Sequence, residues 1–155
     1  IRRTGPIETL LVPCGGGGLL SGSILSAQAL SPECKVIGVE PENADDAVQS
    51  FRTGQLQRIE NPQTIADGTR TECLGELTFE IIRQKVHDMV SVSEATIALA
   101  TRTLFEDARV VAEPSGALGL AALLSGAVQA KGRVGVILSG GNIDPALMAT
   151  ILKDS

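Results

Sequence analysis

Apolar residues along this chain fall into two kinds of run. Stretches at 7–13, 36–40 and 134–138 are nearly continuous in apolar side chains, and a shorter one lies at 89–92. Such runs read as strands covered on both faces, as in a parallel sheet. Between them the apolar positions take a helical period. Residues 19–30 form one such segment, and 44–52 form a second, stopped by Thr53-Gly54. In 74–87, Leu74, Leu77, Ile81, Ile82 and Val86 follow the i, i+3, i+4 spacing of an amphipathic helix. Ser93-Glu94 predicts the cap of a helix running to about 108. Glu113-Pro114-Ser115 opens another, in which Gly116, Ala117, Gly119, Ala121 and Ala122 permit close packing, and a last helix starts near Asp144-Pro145. Residues 60–70, rich in Asn, Pro, Asp, Gly and Thr, read as a loop. No internal repeat is visible. The alternation predicts an α/β fold: a three-layer αβα arrangement with a mostly parallel sheet, one domain over residues 1–155.

The first predicted strand runs into Gly15, Gly16, Gly17 and Gly18, directly ahead of the first helix. A glycine turn from strand to helix presents backbone N–H groups with no side chains in the way, at the positive end of the helix dipole. That is an anion site, with phosphate the favoured anion, although a plain tight turn is the simpler alternative. A P-loop is excluded because no Gly-Lys-Ser/Thr follows. A dinucleotide fingerprint is nearly met by Gly16-x-Gly18-x-x-Ser21, with Glu40 at the end of the next strand where an acid would hold a ribose, so that reading stays open. In open sheets, ligands sit beyond the carboxyl ends of the strands. The loops at 15–18, 40–46 and 139–142 are expected to converge there.

Composition narrows the choices. At 155 residues, 43% hydrophobic and 20% charged, the chain is long enough for one sizeable core. A net charge of −5, with no basic cluster beyond Arg2-Arg3, argues against nucleic acid. No apolar stretch is of bilayer-spanning length, so no membrane is expected. Cys14, Cys34 and Cys73 are odd in number and widely spaced, which fits a reducing, cytoplasmic compartment. They and the single His87 make zinc a poor fit. Cys14 reads as a small buried thiol, and His87 as a surface or dipole-compensating residue.

Five motifs occur in order: Val12-Pro-Cys-Gly-Gly-Gly-Gly-Leu-Leu-Ser-Gly22, Glu40-Pro-Glu-Asn-Ala-Asp-Asp46, Thr64-Ile-Ala-Asp-Gly68, Glu113-Pro-Ser-Gly116 and Leu138-Ser-Gly-Gly-Asn142. Together they resemble the C-terminal part of the serine racemase and serine/threonine dehydratase family, pyridoxal-phosphate enzymes of the tryptophan-synthase-β fold. The similarity covers almost the whole chain. It implies that Gly15–Gly18 hold the phosphate of pyridoxal 5'-phosphate and that Ser139 hydrogen-bonds the pyridine nitrogen. A hydroxyl there leaves that nitrogen largely unprotonated, which suits β-elimination or racemisation over transamination. Glu113 would lie near the ring, and Gly68 would approach its edge through the backbone. Glu40 and Asp46, with the carbonyl of Ala44, resemble a divalent-cation site suited to Mg²⁺ or Ca²⁺. The plainer reading has Asp45 and Asp46 capping the next helix.

The resemblance also implies an absence. The family's Schiff-base lysine matches none of Lys35, Lys85, Lys131 and Lys153, so no catalytic residue is assigned. The chain is therefore expected to be a fragment, inactive alone, that associates with the missing N-terminal half or with a second copy. The parent enzyme would act on a small hydroxy amino acid. A non-catalytic cofactor- or phosphate-binding domain and a dinucleotide-binding module are the alternatives.

Overall fold

The computed structural model describes residues 5–129 and 131–153; the Arg2-Arg3 pair lies outside them. Four strands among these residues form a single all-parallel sheet: β1 (Thr9–Pro13), β2 (Lys35–Pro41), β3 (Asp88–Val92) and β4 (Val134–Val136), in the spatial order β3-β2-β1-β4. The chain steps outward from β1 to β2 to β3, then crosses back to add β4 on the other side of β1. β1 and β4 are thus neighbours in the sheet without being consecutive in the chain, and the connection leaving β1 runs to the side away from β4. The carboxyl ends of these two strands form the topological switch point where α/β sheets open a ligand crevice.

Among the described residues six α-helices accompany the sheet: α1 (Gly18–Leu30), α2 (Asp46–Thr53), α3 (Glu76–Lys85), α4 (Glu94–Glu106), α5 (Pro114–Leu124) and α6 (Pro145–Lys153). Side chains alternate across each strand, so the sheet feeds two cores. Leu10 and Val12 of β1 pack with Leu20, Ile24, Val48, Ile82 and Met89 under α1, α2 and α3. Leu11, with Ile37 and Val39 of β2, packs on the opposite face with Ile97, Leu104, Ala117, Leu118 and Ala121 from α4 and α5. The predicted three layers are therefore present, with every strand pairing parallel. Among the described residues no helix is long and apolar enough to cross a membrane.

Small residues set the spacing as expected. A Cβ at Gly119 would stand 2.8 Å from Val136 Cγ1 and 3.3 Å from Leu11 Cβ, so α5 rests directly on β1 and β4. Ser93 caps α4 by accepting the Thr96 N–H at 3.3 Å, and Pro114 occupies the first turn of α5.

Three expectations need correction. The strand predicted over 134–138 has ladder geometry only over Val134–Val136, and it is half-buried, not enclosed. It is the edge strand beyond β1, and no described residue pairs with its outer side. The second helix begins at Asp46, because Glu42–Ala44 first makes a 3₁₀ turn. The third is shorter at both ends than 74–87, spanning Glu76–Lys85.

Candidate cofactor-binding site

β1 ends at Pro13, and the chain turns through the glycines into α1. Gly17 has φ of +86°, a left-handed conformation that favours glycine. A Cβ there would also stand 2.8 Å from Thr78 and 2.9 Å from Ile82 of α3. Gly15 is also confined, though less tightly, since its Cβ would stand 3.1 Å from the Cα of Thr69. At Gly16 and Gly18 an added Cβ meets nothing within 4 Å, because these positions border open space.

That space is a polar cleft of about 280 Å³ lined by residues 15–18 together with Pro13, Leu19, Gly68, Thr69, Glu113, Ser115 and Ser139. The structure thus brings together every residue that the sequence nominated for the cofactor: Gly15, Gly16, Gly17, Gly18, Gly68, Glu113 and Ser139. The loop carbonyls are engaged elsewhere. Gly16 O accepts from Thr78 Oγ1 at 2.7 Å, and Gly17 O accepts from the Ser21 N–H at 2.9 Å. No hydrogen bond within the described residues uses the N–H groups of Gly15, Gly16, Gly17 or Gly18. Unpartnered donors at a helix N-terminus on the wall of a polar cleft suit a phosphate.

The opposite wall is tied together by Glu113. Its carboxylate accepts the Asn142 N–H at 3.1 Å, and its own N–H donates to Gly140 O at 3.1 Å. These bonds hold the turn that carries Ser139, which is exposed on the cleft. A Cβ at Gly116 would stand 2.7 Å from Gly140 O, so α5 backs the same turn closely. Ser115 accepts the Gly68 N–H at 2.8 Å and fixes the loop at 67–69 across the floor. Sequence reasoning missed Thr78 and the Gly68 tie of Ser115. Ser115 stood inside a quoted motif without a role, and Thr78 showed only as a polar position beside the apolar spacing of α3.

The loop at 40–46 does not join this cleft, contrary to the expected convergence of three loops. Glu40 is fully buried, and its Oε2 accepts the Val48 N–H of α2 at 2.9 Å. An acid turned onto α2 cannot hold a ribose in the cleft, so the dinucleotide reading loses its second feature. Glu40 Oε1 and both carboxylate oxygens of Asp46 are buried without a hydrogen-bond partner among the described residues. Burial, then the neighbouring Asp46, holds the Glu40 carboxyl well above the usual range. Burial and then Asp45 push Asp46 up to about 7. Nor does Asp45 cap α2 with its side chain, which instead accepts from Gln49 Nε2 at 2.7 Å.

Two sealed carboxylates with orphaned oxygens fit a hard cation. Ala44, also fully buried, ends the 3₁₀ turn between them. Among the described residues no group of three or more His, Cys, Asp or Glu is arranged for a metal, so such a site would need a backbone oxygen and water. Cys14 is a buried thiol whose pKa is pushed well up by burial and by the nearby Glu40 and Asp46. His87 is exposed just beyond the end of α3.

Comparison with known proteins finds relatives over almost the whole chain. L-threo-3-hydroxyaspartate ammonia-lyase of Pseudomonas sp is 48% identical over 154 residues, covering 99% of this chain and 48% of that protein. Serine racemase of Schizosaccharomyces pombe is 45% identical over 144 residues, covering 92% of this chain and 45% of that protein. The crystal structure of a threonine deaminase from T.th. superposes with a TM-score of 0.88 at 46% identity, covering 92% of this chain and 53% of the other. The chain spans about half the length of the curated relatives it matches. Residues 1–140 match the family described as pyridoxal-phosphate dependent enzyme, and the chain belongs to that family.

Proposed function

We propose that the protein carrying this chain is a pyridoxal-phosphate-dependent ammonia-lyase or racemase acting on small β-hydroxy amino acids. The observation that carries the reading is the set of unpartnered N–H groups at residues 15–18, which line one polar cleft together with Ser139, Glu113 and Gly68. When bound, the cofactor supplies an electron sink for negative charge at the amino acid's Cα. The glycine N–H groups would hold its phosphate, with the start of α1 adding favourable field. Ser139 would donate its hydroxyl to the ring nitrogen. As a neutral partner it leaves that nitrogen without a full positive charge, which favours elimination or inversion over transamination. Glu113 would keep Ser139 in position through its bonds to residues 140 and 142.

No lysine lines the cleft among the described residues. The amine needed to carry the cofactor and move the Cα proton would come from chain outside these residues. The half-buried β4 and exposed Leu19, Leu25 and Leu30 of α1 support association with that missing half, or with a second copy. Glu40, Asp46 and the Ala44 carbonyl would hold Mg²⁺ or Ca²⁺, a structural ion that neutralises the buried carboxylates. Free Cys14, Cys34 and Cys73 support a cytoplasmic setting.

The native protein, loaded with cofactor, should be given L-serine, L-threonine and L-threo-3-hydroxyaspartate in turn. Equimolar ammonia and 2-oxo acid from one of them, or D-serine from L-serine, is the expected result. Tight cofactor binding without any of these products would instead establish a non-catalytic binding protein.

A further inference from the structure

The glycine turn does not orient itself. Its second carbonyl, Gly16 O, accepts from Thr78 Oγ1 at 2.7 Å and from the Gly75 N–H at 3.3 Å. Thr78 also lies 2.9 Å from Gly75 O, so its single hydroxyl proton serves two carbonyls, and Gly16 O is the nearer. Both partners belong to the start of α3, whose Phe79 and Ile82 are anchored in the core beneath α1. In a trans peptide unit the C=O and the following N–H point in opposite directions. With Gly16 O drawn toward α3, the Gly17 N–H points away from it. No residue of α3 lines the cleft, and no group of the described chain accepts the Gly17 N–H.

We infer that Thr78 is a positioning residue for the phosphate loop: its hydroxyl fixes the peptide between Gly16 and Gly17 so that the Gly17 N–H faces the cofactor phosphate. This rests on the proposed phosphate role of residues 15–18. Thr78 touches neither cofactor nor substrate. It acts by preventing the peptide from flipping, a motion that glycines on both sides would otherwise allow. A flip would place a carbonyl oxygen against the phosphate in place of a donor. The same side chain walls off Gly17, whose added Cβ would stand 2.8 Å from Thr78, so the loop cannot relax toward α3.

The test compares the affinity of the cofactor-free native protein for pyridoxal 5'-phosphate and for pyridoxal, which lacks the phosphate. Thr78→Val removes the hydroxyl and keeps the shape. Losing one well-placed hydrogen bond corresponds to about a tenfold weakening. Thr78→Val is therefore expected to bind pyridoxal 5'-phosphate about tenfold more weakly and pyridoxal unchanged, while Thr78→Ser stays close to wild type. Should the valine variant fail to fold, Thr78→Ala reads the same ratio. Equal weakening of both ligands, or no weakening of either, overturns the inference. If the wild-type protein itself shows no preference for the phosphorylated form, the phosphate reading has failed, and that outcome is distinct from a failure of Thr78 alone.

Discussion

The loops after β1 and β2 lie side by side at the carboxyl edge of the sheet, yet they leave opposite groups unsatisfied. After β1, backbone N–H donors at residues 15–18 border a cleft open to water, which can satisfy them until a ligand arrives. After β2, carboxylate acceptors of Glu40 and Asp46 are sealed where water cannot reach. An open donor cradle weakens the fold little, and it gains by binding. A sealed pair of acids strains the fold until something cationic arrives, or until it takes up protons. The first loop thus offers donors to an anion, and the second offers acceptors to a cation or to protons.

The widest separation should come from pH and cation together. Asp46 has its folded pKa raised from 3.8 to about 7. A raised carboxyl favours the folded state only while protonated. Its contribution is fully present below about pH 4 and is lost as pH rises through about 7, roughly 2–4 kcal/mol in the cation-free protein. Thermal unfolding of the chelator-treated native protein should therefore show stability falling from pH 5 to pH 8. Millimolar Mg²⁺ or Ca²⁺ should restore several degrees at pH 8 and almost nothing at pH 5. Equal cation effects at both values would remove the sealed acids from the account.

Gly16→Asp tests the other loop. Open space at this Cβ allows the fold to survive, but a carboxylate would face the phosphate. Cofactor affinity by titration should fall by about 100-fold or more, with the unfolding temperature nearly unchanged. Gly116→Ala should cost about 1–3 kcal/mol of stability and loosen the cofactor, since its Cβ would press on Gly140 O at 2.7 Å and displace the turn bearing Ser139. Ser139→Ala should have the smallest effect. The residue is exposed, so unfolding is unmoved, and cofactor affinity falls roughly tenfold or less.

Much of this was legible in the sequence, for identifiable reasons. β1 and β2 carry apolar side chains toward both cores, so their runs stand out without any knowledge of partners. The glycines of residues 15–18, with Gly68, Glu113 and Ser139, form one cleft; the expectation that loops meet beyond the carboxyl ends of the strands anticipates this, while the adjacency of β1 and β4 is seen only in the fold. What escaped was long-range. Glu40 reads equally well as facing a ligand or turning inward, and only the placement of α2 decides that it accepts from Val48. Gly38 of β2 likewise depends on residues far along the chain. Its missing side chain makes room for Leu20, 2.7 Å from where its Cβ would be, and for Met89. β4 has the composition of an enclosed strand but lies half-buried, because burial depends on neighbours and not on the strand alone. Thr78 meets Gly16 across 62 positions of chain, and local periodicity carries no trace of such a bond.

In the proposed function the backbone of residues 15–18 holds the cofactor phosphate. Amide hydrogen exchange of the cofactor-free native protein, with pyridoxal 5'-phosphate and separately with pyridoxal, reads those N–H groups directly. Strong slowing is expected at Gly15, Gly16, Gly17 and Gly18 with the phosphorylated form and little with pyridoxal. Exchange that is equally slowed by both, or unchanged by pyridoxal 5'-phosphate while it binds, would contradict it.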